Sequence, residues 1–201
     1  MSILINETES IVRIKVPFES IYTSVFIVKV DGGILLVDCA TTRYDVDEYI
    51  IPSIEKLGYT PNDVRSIVIT HHHSDHDGGL TRICELMPNI EVINEVRAIS
   101  DDIETYPLPG HTKQCIGLFD GRDETLISGD GLQGAGVDKY RCNVEDKEAY
   151  SDTLFRIRDD KRIKKILFSH AYEPWYRDSV TGRREVLSAL GECAKYIGEK
   201  I

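Results

Sequence analysis

The sequence lacks any apolar run long enough to cross a bilayer, so no membrane span is expected. It also lacks closely spaced cysteines: five are scattered over 201 residues, without the pairs that mark zinc ribbons or thioredoxin-like motifs. Reduced thiols in a cytoplasm are the simpler interpretation. Residues 1–7 have neither the basic start nor the long apolar stretch of a secretory signal. We therefore expect a cytoplasmic protein.

The chain has fewer basic than acidic residues. Lysine and arginine number 24 against 34 aspartates and glutamates, which gives a formal net charge of −10. The one basic cluster, residues 161–165, is short and is typical of a solvated helix end. A protein of this charge repels polyanions, so we expect no nucleic-acid partner. A small-molecule substrate is the expected partner, and a homo-oligomer is compatible with the sequence.

The length and composition are those of one ordinary globular domain. With 41% hydrophobic and 29% charged residues, the chain of 201 residues can bury a substantial core without disulfide bonds. We find no internal repeat, linker or low-complexity segment. A single domain over residues 1–201 is therefore predicted.

The apolar pattern predicts a mixed α/β protein. Predicted strands, from apolar β-branched stretches, lie at 11–16, 24–30, 33–37, 66–69, 90–94, 115–119, 125–128 and 165–169. Predicted helices lie at 44–57, where Pro52 is expected to introduce a kink, and at 80–86, 147–157 and from 182 onwards. Two such mixed halves favour sheets packed together in the middle with helices outside.

Histidine is concentrated where one predicted strand ends. His71, His73, Asp75 and His76 follow the β-branched strand at 66–69 within a few residues. Residues two apart in extended backbone point to the same side, so His71 and His73 can share one metal ion. His72 should point away from them. Imidazole nitrogen and carboxylate oxygen are ligands that suit zinc, with iron and manganese as alternatives.

Three further candidate ligands lie at the ends of other predicted strands. His111 follows a turn fixed by Pro109 and Gly110, Asp130 follows the strand at 125–128, and His170 follows the strand at 165–169. We expect His111 to complete the ion site of His71 and His73. We expect His170 to join Asp75 and His76 around a second ion, with Asp130 bridging the two ions. Side chains that converge from several strand ends are typical of a rigid site.

These residues resemble the signature of the metallo-β-lactamase superfamily. The motif His-x-His-x-Asp-His is matched by residues 71–76, and Asp38, Pro-Gly-His-Thr at 109–112, Gly129-Asp130 and His170 follow the family's order. The resemblance implies a four-layer αββα sandwich with a site for two metal ions. It also implies that Asp38 orients a metal ligand from outside the ligand group.

Within the superfamily the chain looks most like the glyoxalase II-type thioester hydrolases. Residues 129–136 resemble their Gly-Asp-x-Leu-x-x-Gly-x-Gly stretch, and His170-Ala171-Tyr172 resembles their His-Glu-Tyr. That likeness makes Tyr172 a candidate substrate contact, with a structural tyrosine as the alternative. The loop at 132–143 adds Lys139, Tyr140 and Arg141 as candidate groups at the mouth of a pocket, and a solvated loop is equally compatible.

These observations predict a dinuclear metal-dependent hydrolase. Two divalent ions, zinc in the first instance, would share a bridging hydroxide that attacks a small thioester or ester, with Asp75 orienting the nucleophile. The alternatives are a phosphodiesterase, since two ions can also clamp the oxygens at phosphorus, a lactonase, or a metal-binding protein without turnover.

Overall fold

The computed structural model describes residues 3–140 and 142–201. The first two residues of the N-terminal segment and Arg141 of the predicted pocket loop thus lie outside the described residues. The chain divides into two compact units, residues 1–94 and 95–201. One domain over residues 1–201 stays a prediction. In the described part, none of the helices combines the length and the apolar character that crossing a bilayer requires.

The first unit is built on a six-stranded sheet whose spatial order follows the chain. Its strands are β1 (Ile3–Asn6), β2 (Ile11–Phe18), β3 (Ile21–Val30), β4 (Gly33–Val37), β5 (Val64–Val68) and β6 (Glu91–Ile93). The strands from β1 to β4 pair antiparallel, and β5 and β6 continue the sheet in parallel. The hairpin predicted at Asp31-Gly32 joins β3 to β4, where Gly32 has a positive φ of 73° that glycine adopts without strain.

Helices cover one face of this sheet. They are α1 (Arg43–Asp45), α2 (Ile51–Lys56), α3 (Ser74–Asp77) and α4 (Leu80–Leu86), with a π-helical stretch (Val46–Ile50) between the first two and a 3₁₀ turn at Pro61–Asp63. Ile50 and Ile54 pack with Ile27 and Leu36 of the sheet in one buried cluster. The helix predicted over 44–57 thus forms, and its irregular turn falls just before Pro52. Near a helix start the missing N–H of proline costs little.

The second unit is built on a five-stranded sheet of order β11-β10-β9-β8-β7. Its strands are β7 (Ile103–Pro107), β8 (Ile116–Asp120), β9 (Thr125–Ile127), β10 (Lys165–Leu167) and β11 (Ser179–Thr181). Its helices are α5 (Val137–Tyr140), α6 (Lys147–Asp159) and α7 (Arg183–Ile197), with a 3₁₀ turn at Gly129–Gly131. Leu154 and Leu190 pack against Leu126 and Ile166 in its core. Strands β9 and β10 are parallel, and the other pairs are antiparallel.

Strand β7 was not predicted, because the prolines around it indicated a turn. The structure extends the strand to Pro107 and leaves the turn to the residues that follow. Because β7 is at the sheet edge, a proline there removes no hydrogen bond that an inner strand needs. The short turn that carries His111 is therefore anchored on its N-terminal side by paired strand.

Two glycines let the loop after β4 lie against the start of α4. A Cβ on Gly78 would overlap the carbonyl oxygen of Thr41, and a Cβ on Gly79 would overlap that of Cys39. The Gly79 amide also donates to the carbonyl of Ala40 at 3.3 Å. The loop after β4 carries Asp38, so these glycines set the position of that carboxylate.

Replacing Gly79 with alanine should therefore destabilise the protein. The added methyl group forces backbone apart, and overpacking of this kind costs about 1–3 kcal/mol. Chemical denaturation of purified variants measures the effect. The control is Gly191→Ala within α7, where an added Cβ meets nothing within 4 Å. Alanine there should stabilise by about 0.5–1 kcal/mol through helix propensity. Equal stability of the two variants would contradict the close approach at Gly79.

Candidate metal centre

In the first unit, the histidine-rich loop runs from the end of β5 into α3 and brings two ring nitrogens together. His71 Nε2 lies 3.0 Å from His73 Nδ1, and the two rings meet edge to face. His71 is buried, while His73 is exposed. The ring nitrogens of the predicted pair, His71 and His73, therefore lie together.

The same loop forms a second pair of ligand atoms. His76 Nε2 lies 3.3 Å from Asp75 Oδ2, and His76 is fully buried. Two atoms bound to one tetrahedral zinc ion at about 2.0–2.1 Å lie about 3.3 Å apart. Both pairs have separations close to that value, so the donor set of this loop fits two metal ions.

Asp38 holds the second histidine from behind. Its Oδ2 lies 2.7 Å from His76 Nδ1, and its Oδ1 accepts the backbone N–H of Thr70 at 2.8 Å. Asp38 is buried, and its φ of 62° is a left-handed conformation that a non-glycine residue adopts only where the surroundings enforce it. The Asp38 carboxylate therefore holds the Nδ1 side of the His76 ring, which leaves Nε2 as the ring nitrogen that faces Asp75.

His72 points away from these groups. Its side chain is 52% exposed, and its Nδ1 lies 2.9 Å from Asp77 Oδ2. A place for His72 outside the ligand set stays a prediction.

In the second unit, Asp130 lies between two histidines. Its Oδ2 is 3.8 Å from His111 Nε2, and its Oδ1 is 3.4 Å from His170 Nε2. The three residues follow β7, β9 and β10, and all are buried. One carboxylate thus directs a different oxygen at each of two imidazoles.

The ring of His111 is fixed by a backbone carbonyl. His111 Nδ1 lies 2.6 Å from the carbonyl oxygen of Asn143, and because a carbonyl only accepts, this nitrogen carries the hydrogen. The Nε2 that faces Asp130 is then the nitrogen with a lone pair for a metal ion.

Comparison with known proteins finds similarity to one superfamily. The sequence model of the Metallo-beta-lactamase superfamily matches residues 20–100. The chain is 29% identical over 142 residues to "Hydroxyacylglutathione hydrolase 1" of Vibrio vulnificus, covering 62% of this chain and 54% of the relative. It is 27% identical over 165 residues to "Beta-lactamase-like protein 2 homolog" of Caenorhabditis elegans, covering 71% of this chain and 54% of the relative. The solved metallo-β-lactamase FIM-1 of Pseudomonas aeruginosa matches with a TM-score of 0.75 at 15% identity, covering 98% of this chain and 97% of that one. These matches bear out the resemblance to the metallo-β-lactamase superfamily that the sequence motifs indicate.

The two sheets with their helices match the metallo-β-lactamase fold, which confirms the αββα fold class predicted from the sequence. At 15% identity the structural likeness carries the fold alone. The chain spans about half the length of the curated relatives it matches first, 54% of each of the two named above.

Cys39 follows Asp38 directly, but it is absent from the groups of described residues that could hold a metal ion. Burial raises the pKa of the Cys39 thiol well above its usual value, and its Sγ donates to the His76 carbonyl at 3.3 Å. A protonated, buried thiol packs as a small apolar group. No disulfide links the five cysteines, all of which belong to the described residues.

Cys142 was missed by the sequence analysis. One ligand atom each of Cys142, His111 and Asp130 lie within 4.8 Å of one another. However, Cys142 Sγ approaches His111 at Nδ1, 3.5 Å away, which is the nitrogen already directed at Asn143. The thiol therefore lies beside the ligand rather than opposite its lone pair. No spacing signal in the sequence could have found it, because the residue stands alone in its loop.

The candidate substrate contacts lie in the second unit near His170. The Tyr172 ring centroid is 6.2 Å from that of His170 and 4.8 Å from that of Tyr140. Tyr140 is buried, and its hydroxyl donates to the Arg177 carbonyl at 3.2 Å, so its polar atom already has a partner within the protein. Lys139 pairs with Glu192 at 3.2 Å.

Trp175 is an aromatic neighbour that the sequence analysis did not single out. It is 43% exposed, and the Lys139 ammonium lies 5.8 Å from its ring centroid. Both residues line a cavity of about 440 Å³. Lys139 and Tyr172 remain candidate substrate contacts, whereas the position of Tyr140 favours a structural role.

Proposed function

We propose that this protein is a hydrolase of small thioesters or esters that works with two divalent metal ions. The observation that carries the proposal is Asp130, whose two oxygens face the Nε2 atoms of two different histidines at 3.8 and 3.4 Å. A carboxylate in that arrangement is suited to bridge two cations. The first unit has two convergent donor pairs of its own, which would supply the remaining ligands.

The assignment of ligands follows the sequence prediction. His71 and His73 would hold the first ion with His111, and Asp75 and His76 would hold the second with His170. Asp130 would contribute to both. Histidine and carboxylate donors without a cysteine suit zinc, and they also suit iron or manganese.

The chain's own groups have defined parts in such a reaction. Two bound ions would polarise the carbonyl of the substrate and make water acidic enough to act as a nucleophile near neutral pH. The Asp75 carboxylate would accept a hydrogen from the attacking water and so direct its lone pair at the carbonyl carbon. Asp38 accepts from His76 Nδ1 and so leaves the Nε2 lone pair free of a hydrogen, and this lone pair would bind the second ion.

The choice of a thioester or ester rests on the relatives. Several of the curated relatives are hydroxyacylglutathione hydrolases, at 22–29% identity. Because the chain covers only part of their length, the glutathione moiety itself is left out of the proposal. The mixed aromatic and charged surface around Tyr172 and Trp175 is compatible with a small polar substrate.

Metal analysis combined with a substrate screen tests this function. Purified protein should contain two equivalents of zinc, iron or manganese, and should hydrolyse thioesters or aryl esters faster than lactones, phosphodiesters and β-lactams. A chelator should remove the metal and the activity together, and added zinc should restore both. Exclusive turnover of phosphodiesters would replace the proposed substrate class. Two bound ions without any turnover would identify a metal-binding protein instead.

Neighbouring histidines of the loop provide a matched pair of variants. His73→Ala should lose most of the first ion, because its Nδ1 shares a point with His71 Nε2. His72→Ala should keep both ions, since this side chain is exposed and directed at Asp77. Zinc content after dialysis against metal-free buffer measures both. A His72→Ala variant that loses as much zinc as His73→Ala would show that the ligand assignment in this loop is wrong.

A further inference from the structure

Thr70 links the carboxylate behind His76 to the other buried histidine of the loop. Its Oγ1 lies 2.9 Å from Asp38 Oδ2 and 3.1 Å from His71 Nδ1. Asp38, Thr70 and His71 are each at most 2% exposed, so the link runs through the interior of the first unit. Asp38 Oδ2 is also the oxygen that lies 2.7 Å from His76 Nδ1.

The hydrogens in this group can be assigned from what each atom is able to donate. An ionised carboxylate only accepts, and a hydroxyl has a single hydrogen. The Thr70 hydroxyl therefore donates to Asp38, and only its lone pairs remain for His71. To complete the contact, His71 Nδ1 must carry a hydrogen and donate it to Thr70 Oγ1. His76 Nδ1 in turn donates to Asp38 directly.

Both histidines are thereby held in the tautomer that leaves Nε2 unprotonated. His71 Nε2 is the atom that lies next to His73 Nδ1, and His76 Nε2 is the atom that lies next to Asp75 Oδ2. In the proposed ligand set, His71 would bind the first ion and His76 the second. A single carboxylate thus reaches a ligand of each ion, one directly and one through a hydroxyl.

We propose that Thr70 is a positioning residue that extends the hydrogen-bond acceptor of Asp38 to His71, so that one buried carboxylate prepares both metal positions. The inference rests on the proposed function only for the ions; the tautomers themselves belong to the metal-free protein. Outer partners of a metal-bound histidine set its tautomer and orientation, and their loss typically costs about 10–100-fold in metal affinity.

Thr70→Val separates the two histidines. Valine keeps the shape of threonine and removes the hydroxyl, so His71 Nδ1 loses its acceptor, while His76 Nδ1 keeps Asp38. Affinity for the first ion should fall about 10–100-fold, with little change at the second. Thr70→Ser keeps a hydroxyl and should behave like the wild-type protein. Asp38→Asn should weaken both ions, because it alters the acceptor on which both histidines depend.

NMR spectroscopy measures the tautomers of His71 and His76 directly. Long-range ¹H–¹⁵N NMR spectra of metal-free, ¹⁵N-histidine-labelled protein distinguish a protonated Nδ1 from a protonated Nε2. In the wild-type protein and in Thr70→Ser, His71 and His76 should both be protonated at Nδ1. In Thr70→Val, His71 should change to a mixture or to the other tautomer, while His76 stays as it was.

A control reports on the loss of a buried hydroxyl as such. Thr125 is fully buried and donates to the Asp123 carbonyl at 2.8 Å, in the second unit. Thr125→Val should leave both tautomers unchanged. Unchanged His71 spectra in Thr70→Val, or a wild-type His71 protonated at Nε2, would overturn the inference. Correct tautomers in a protein that binds no metal would instead overturn the proposed function and leave the positioning role of Thr70 standing.

Discussion

Replacing Asp75 with asparagine should lower turnover about 10²–10⁴-fold, the usual contribution of a group that accepts a proton in the transition state. The Asp75 carboxylate is 13% exposed at its side chain and lies 3.3 Å from His76 Nε2, so it combines access from solvent with a place beside a candidate ligand. An amide has nearly the same shape but accepts no proton. Steady-state rates on the best ester or thioester of the screen, at known zinc content, measure the effect.

Asp77→Asn is the matched control for this variant. Asp77 belongs to the same short helix, and its Oδ2 lies 2.9 Å from His72 on the outside of the loop. Its replacement should leave the rate within about twofold, because the Asp77 side chain is paired with His72, which is outside the proposed ligand set, and exposed pairs contribute little. Near-wild-type turnover of Asp75→Asn with two equivalents of zinc bound would contradict the part assigned to Asp75.

Replacing Asp130 with asparagine should remove metal as well as activity. The amide nitrogen of asparagine cannot bind a cation. One of the two ions would therefore lose the ligand that it shares through Asp130. Removal of a direct ligand costs at least as much as removal of an outer partner, which is about 10–100-fold in metal affinity. Zinc content should fall from two equivalents to one or fewer, and turnover should fall with it. Inductively coupled plasma analysis and rate measurements on one preparation give both values.

Asp138→Asn controls for the loss of a negative charge in the same unit. Asp138 is an exposed residue of α5, close in sequence to Asp130. This variant should bind two equivalents of zinc and retain the wild-type rate. An Asp130→Asn protein that binds two equivalents as tightly as the wild type would show that Asp130 is no bridge between ions.

The elements that the sequence predicts well are those with a strong local pattern. Asp31-Gly32 between two β-branched runs indicated the hairpin from β3 to β4, and helical spacing indicated α4 with the bounds that the structure has. The edge strands β1, β7 and β11 were not predicted. Edge strands are short, partly exposed and tolerant of proline, as at Pro107, so tertiary pairing rather than local pattern defines them.

The residues of the candidate site likewise include some that a local sequence pattern indicates and others that only the tertiary structure brings together. The loop from His71 to His76 was predictable because four donors fall within six residues after a strand, a density that chance seldom gives. The place of Asp38 came from the resemblance to the family. The contacts of Thr70, Cys142 and Trp175 depend on which chain segments meet in space, and a single sequence has no spacing that reports such contacts.

The most direct test of the central proposal is a zinc-edge anomalous map from crystals grown with excess zinc. Two ions should lie about 3.5–4 Å apart. Asp130 should contribute an oxygen to each, the first ion should have His71, His73 and His111 as ligands, and the second should have Asp75, His76 and His170. Zinc bound elsewhere, or a single ion without Asp130 among its ligands, would contradict the proposal.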